Sequence, residues 1–177
     1  MKRIFLLALT VATISYSCDK VLDFAINHTF EDSYDVNLPA DSDTTYSQSF
    51  TFDATSNSEI ADNLDQLNGY SLKSLKLSIS DYEGGDDVDG SFSFSFKNAA
   101  GNTIGDAVST VTLENLAAWS SSGEKTDIPL TQGTIDAVQS ELASNNAVTV
   151  MITESVTEVP VQFTAHVFLE VEVNVSP

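Results

Sequence analysis

The sequence predicts an all-β protein, an antiparallel β-sandwich with two short α-helices, and three observations carry that expectation. From Val161 to Val175 every odd position is apolar: Val161, Phe163, Ala165, Val167, Leu169, Val171, Val173 and Val175. The even positions Gln162, Thr164, His166, Glu170, Glu172 and Asn174 are polar, and Phe168 alone breaks the pattern. Such alternation gives a strand one buried face and one wet face. Phe92, Phe94 and Phe96 alternate with serines in the same way. Helical spacing of apolar residues, by contrast, is confined to two short stretches, Ile60–Leu67 and Ile135–Leu142.

Taken in order, residues from Val21 to Phe30 place mostly apolar side chains at even positions, and Tyr34, Val36 and Leu38 continue the strand until Pro39 ends it. Asp41-Ser42-Asp43-Thr44-Thr45 is a polar loop. Its Asp43-Thr44-Thr45 resembles a short acceptor signal of some bacterial periplasmic O-glycosylation systems, and it also reads as a plain solvated turn. Tyr46 to Asp53 forms a strand with Phe50 and Phe52 on one face. Ser56 and Glu59 have capping-box spacing, Ile60, Leu64 and Leu67 supply a helical stripe, and Gly69 supplies the stop.

Leu75, Leu77 and Ile79 mark the next strand. After the acidic loop from Asp81 to Gly90 comes the Phe/Ser strand, then a hairpin turn over Asn98–Gly105 and a return through Val108–Leu113. Leu116 and Trp119 fall in a short turn, Asp127–Thr131 in a strand, and Ile135, Val138 and Leu142 on the second helix. Val148, Val150 and Ile152 lead into the last connection, where Pro160 suits the first position of the final strand. That strand would run to roughly 50 Å at ~3.3 Å per residue, which predicts a bend or bulge serving two sheets, or one long central strand. A shift of 75 residues lays Ile60 on Ile135, Leu67 on Leu142, Leu75 on Val150 and Leu77 on Ile152. This pattern reads as an internal repeat or as a coincidence of amphipathic spacing.

The chain has 177 residues and a net charge of −19. Lys2 and Arg3 lie in the leader, so beyond Ser17 five Lys and Arg stand against 26 Asp and Glu, leaving −21. Charge of that size and sign repels phosphate backbones, which argues against nucleic-acid partners. There is no Gly-x-Ser-x-Gly and no glycine-rich phosphate loop, and the two histidines, His28 and His166, lack the close spacing of a zinc site. The expectation is a protein that is not an enzyme.

Met1-Lys2-Arg3 is a basic start, Ile4–Ile14 an apolar run, and Ser15-Tyr16-Ser17 leads to Cys18, the only cysteine. Residues 1–17 thus read as a signal peptide, too short for a stable membrane-spanning helix. The segment resembles the leader of bacterial lipoproteins, with Cys18 where their lipidated cysteine stands. It departs from their strict pattern at Ser15, where Leu is favoured, and at Tyr16, where a small residue is usual. The resemblance implies acylation (palmitate included) at Cys18, a minimal linker over residues 18–20, a single domain over residues 21–177, and attachment to the outer membrane or cell surface of a Gram-negative bacterium. The alternative is simple secretion with a cut elsewhere.

Candidate sites are few. Glu83, Asp86, Asp87 and Asp89 could offer hard oxygen ligands to Ca²⁺, with Gly84, Gly85 and Gly90 allowing a tight wrap. The spacing is not that of an EF-hand, and the other reading is a solvated hairpin loop. Trp119, beside Ser120-Ser121-Ser122-Gly123, and Phe168, on the polar face, are possible binding aromatics; each also reads as a packed side chain. No cofactor is expected apart from that calcium. The functional expectation is a non-enzymatic envelope lipoprotein with a binding or scaffolding role, held to a membrane by its lipid, whose partner is an envelope protein or glycan. The alternative is a calcium-assisted carbohydrate-binding or adhesion module.

Overall fold

The computed structural model describes residues 23–176. The leader, Cys18 with its linker, and Val21–Leu22 at the start of the first expected strand lie outside the described residues.

Eight strands follow one another: β1 (Phe24–Leu38), β2 (Thr45–Asp53), β3 (Leu67–Glu83), β4 (Gly90–Lys97), β5 (Thr103–Leu113), β6 (Thr126–Asp127), β7 (Ala147–Val156) and β8 (Val161–Val175). They pair antiparallel in two four-stranded sheets, ordered β1-β8-β3-β6 and β2-β7-β4-β5. This is the strand order of a jelly roll, two interlocked Greek keys closed into a sandwich. Advancing every strand by four exchanges the two sheets. The 75-residue offset seen in the sequence follows that exchange: Leu38 at the end of β1 falls on Leu113 at the end of β5, and Leu72 in β3 falls on Ala147 at the start of β7. Likewise Phe92, Phe94 and Phe96 of β4 fall on Val167, Leu169 and Val171 of β8, and all six are buried.

β8 takes the second of the two forms expected of it. It stays within one sheet as a long central strand, with Phe24–Leu38 on one side in unbroken register and β3 on the other. The irregularities lie in β3, where the register shifts between Leu67 and Gly69, Leu72 and Ser74, and Ser80 and Glu83. All eight odd-position side chains of β8 are buried. They meet the inward faces of the second sheet, and Phe163 packs edge-to-face on Phe92 with ring centroids 6.1 Å apart.

The described residues include three α-helices: α1 (Ser58–Ala61), α2 (Leu116–Ser122) and α3 (Gln132–Asn145). The last matches the second expected helix, with Val138 and Leu142 buried, Thr131 capping its start and Asn146, at φ 55°, ending it. The first expected helix shrinks to the single turn of α1 between 3₁₀ turns. Asn57, not Ser56, caps it, accepting from the Ile60 N–H. The stripe fails because Leu64 remains 38% exposed and Leu67 is claimed by β3, where it pairs with Val175. With Asp62, Asn63 and Asp65 in that stretch, weak helix formers had nothing to bury. Conversely, the expected turn at Leu116 is a real helix, and of the expected strand at 127–131 only Asp127 is strand, in the two-residue β6, while Thr131 caps α3.

Gly105 shows how tightly α3 is seated. It adopts φ +79°, and a Cβ there would lie 2.8 Å from Thr134 Cα at the start of α3. Both the left-handed backbone and the close approach require glycine. Gly105→Ala is expected to destabilise the protein by about 2–4 kcal/mol in urea unfolding; an unchanged midpoint would show that the helix can move aside freely.

Candidate functional site

β1 and β2 are edge strands of opposite sheets, so the sandwich ends on one side in a seam between them. Among the described residues each bonds to a neighbouring strand on one side only. Alternation puts His28, Phe30 and Tyr34 of β1 and Tyr46, Phe50 and Phe52 of β2 on the facing sides of this seam. Their rings form an unbroken series. Centroid separations are 4.4 Å for His28–Phe30, 5.9 Å for Phe30–Phe52, 5.5 Å for Phe52–Phe50, 6.0 Å for Phe50–Tyr34 and 6.1 Å for Tyr34–Tyr46. Phe30, Tyr34 and Phe52 are buried, whereas His28, Tyr46 and Phe50 are only half-buried, so the series has accessible faces.

A cavity of about 440 Å³ opens on the seam, lined by His28, Phe30, Asp32 and Phe52, with Glu31 and Asp53 among the residues at its rim; Glu31 Oε1 lies 3.9 Å from His166 Nδ1, and Asp53 Oδ1 accepts from Thr55. His28 is fixed from behind. The Asn57 side-chain oxygen already accepts from Ile60, so its amide group donates to His28 Nδ1 at 3.1 Å and leaves the ring proton on Nε2. Burial holds the His28 pKa below its ordinary value, which keeps the ring neutral at neutral pH.

At the other end of the ring series sits Glu154. It follows Val148, Val150 and Ile152 on the inward face of β7, and it is only 1% exposed. The Tyr34 hydroxyl donates to Oε2 at 3.2 Å, and Oε1 has no hydrogen-bond partner. Burial pushes the Glu154 carboxyl up to about 8, against the smaller downward pull of the Tyr34 hydrogen bond. Burial also raises the Tyr34 phenol above its ordinary value, and the neighbouring Glu154 adds to this. Glu154 is therefore a neutral acid at pH 7. Its position was visible in the sequence as a polar residue in an apolar register.

In the acidic loop, Asp89 serves the fold. Asp89 Oδ1 accepts from the Asn115 N–H at 2.8 Å, and its backbone exchanges hydrogen bonds with Thr157, so it ties the loop to the start of α2 and to the end of β7. Glu83, Asp86 and Asp87 are exposed to water. Among the described residues, no three His, Cys, Asp or Glu side chains come together as a metal-holding group. The two singled-out aromatics are not surface platforms. Phe168 is 5% exposed, and Lys125 Nζ lies 3.4 Å from its ring centroid, a cation–π contact on the outer side of β8. Trp119 of α2 is half-buried against the core.

Sequence reasoning found several of the seam's residues one at a time, including Phe50, Phe52 and His28 in register with the core. It did not find the seam, which exists only because β1 and β2 end up at the edges of different sheets.

No family model and no curated protein sequence matches the chain. The chain is similar to solved structures of viral proteins. One, titled Desmodium yellow mottle tymovirus, has a TM-score of 0.44 at 12% identity, covering 100% of this chain and 90% of that one. The decameric BFDV capsid protein gives 0.43 at 13% identity, covering 86% and 99%. A structure titled tobacco necrosis virus gives 0.39 at 14% identity, covering 85% and 83%.

Proposed function

We propose that the protein is a non-enzymatic envelope lipoprotein, anchored through Cys18, that binds another envelope component along the seam between β1 and β2. What carries the reading is the seam itself: a groove lined by the half-buried His28 and by Phe30 and Phe52, rimmed by acidic residues, and flanked by two strand edges that, among the described residues, have no strand partner on their outer side. Ring faces and strand edges are features that recognition uses, and apolar walls with a few placed polar groups are typical of ligand sites. The anchor is supported by the leader and by the position of Cys18 just six residues before β1 begins. An acyl anchor at that point would hold the sandwich close to the bilayer, with each buried CH₂ contributing ~0.8 kcal/mol.

Two measurements test it. Cells grown with labelled palmitate are expected to label the wild type and not Cys18→Ala; label retained in the variant, or absent from the wild type, removes the anchor. A photo-crosslinker placed at Thr29, an outward-facing residue of β1 that borders the cavity, is expected to capture a defined envelope partner in intact cells, while one at Ser93 on the outer face of the second sheet does not. Equal capture from both positions, or none from Thr29, removes the binding role assigned to the seam.

A further inference from the structure

The seam's charge identifies the chemistry of what it holds. Residues 24–53, which contain both seam strands and their connection, carry six carboxylates (Glu31, Asp32, Asp35, Asp41, Asp43, Asp53) and neither Lys nor Arg. The lysines of the described residues stand elsewhere. Lys73 and Lys76 are paired with Glu172 and Glu170 across β3 and β8, Lys125 covers Phe168, and Lys97 ends β4. Edge strands commonly carry charge to prevent unwanted pairing. Here the charge has a single sign, so it repels another acidic strand, a second copy of this chain included, and selects one of opposite charge.

From this we infer that the seam takes an extended peptide segment bearing Lys or Arg at alternating positions, added as a strand along the free edge of β1. Strand addition uses the backbone groups that β1 leaves unpaired, and alternate side chains then reach one face or the other. On the seam face they lie beside the exposed Asp32, between the buried side chains of Phe30 and Tyr34, where an ammonium or guanidinium meets a carboxylate. On the outer face they run along Glu31 and Asp35. The inference rests on the binding role proposed above and names its partner as a basic, unstructured segment of an envelope protein.

The test uses the full-length protein in detergent with two labelled decapeptides, one alternating Lys and Thr and the other Glu and Thr, read by fluorescence anisotropy. The Lys peptide is expected to bind, with affinity falling as salt rises, and the Glu peptide not to. Carbodiimide, which joins amines to adjacent carboxylates, is expected to link the Lys peptide to Glu31, Asp32 and Asp53. Reversing both exposed charges (Glu31→Lys with Asp32→Lys) should weaken binding at least about tenfold with an unchanged circular-dichroism spectrum. The matching reversal in the acidic loop (Asp86→Lys with Asp87→Lys) should leave it within about twofold. Crosslinks scattered over the whole acidic surface, equal losses from both reversals, or full displacement by spermine would each overturn strand addition at the seam. Capture of a partner from Thr29 in cells, with no binding of the Lys peptide, would leave the binding role standing and sink this inference alone.

Discussion

Raising the pH from about 4 to about 9 is expected to cost the fold on the order of 5 kcal/mol through Glu154 alone. The carboxyl titrates at about 8 in the folded protein against an ordinary value of 4.5. Its folded pKa is raised, so the folded state holds the proton more tightly than the unfolded chain does. The stabilisation is therefore complete below the unfolded value and is lost as pH rises through the folded one. Above that, a carboxylate with one donor at 3.2 Å and one bare oxygen must sit between the two sheets. A loss of this size is a large share of the ~5–15 kcal/mol that holds most domains together. Glu154→Gln keeps an acceptor for the Tyr34 hydroxyl and cannot ionise. Urea unfolding across this range should show the wild type falling steeply toward alkaline pH while Glu154→Gln falls much less, so that the variant is the more stable protein at pH 9. Parallel curves for the two would show that the buried acid is not the titrating group.

The second large effect is expected at Phe163, whose ring is buried near the start of β8 and meets Phe92 of the opposing sheet. Truncation removes the ring from a site walled on both sides by sheets that cannot easily close the gap. Phe163→Ala should cost about 3–5 kcal/mol. Phe92→Ala should cost a similar amount, and the double variant should recover about 1 kcal/mol of coupling relative to the sum, the part that belongs to the ring pair. Full additivity in chemical unfolding would mean that the two rings act separately and that the sheets are not joined through them.

The same physics explains what was legible beforehand. β8, β4 and β7 were readable because each alternates apolar residues along one face, with Glu154 the exception on β7, and a period of two is enforced wherever one face is buried. α3 was readable because Ile135, Val138 and Leu142 supply a stripe that the core uses, whereas its cap, Thr131, reads in the sequence as the end of a strand. The shortened first helix was not: Ile60 and Leu67 keep helical spacing, but Leu67 is worth more to the chain opposite Val175, and that choice depends on a strand more than a hundred residues away. Tertiary pairing overrode a local pattern. Phe168 looked anomalous in an otherwise polar series until Lys125 was seen over it. Glu154 was the reverse: it was passed over in the sequence although it continues the register of Val148, Val150 and Ile152, and its meaning needed the partnerless oxygen. The seam could not be read, because nothing in β1 or β2 states which sheet either will join.

One consequence of the strand order concerns time rather than space. β1 and β3 never touch each other as partners; each bonds to β8, so the first sheet has no middle until the final strand has been made. The second sheet waits similarly on β7, and before it only the β4–β5 hairpin and the brief β3–β6 pairing can close. Such distant closures are slow. A chain ordered this way completes its first sheet only when β8, the fifteen-residue strand that joins β1 to β3, is in place.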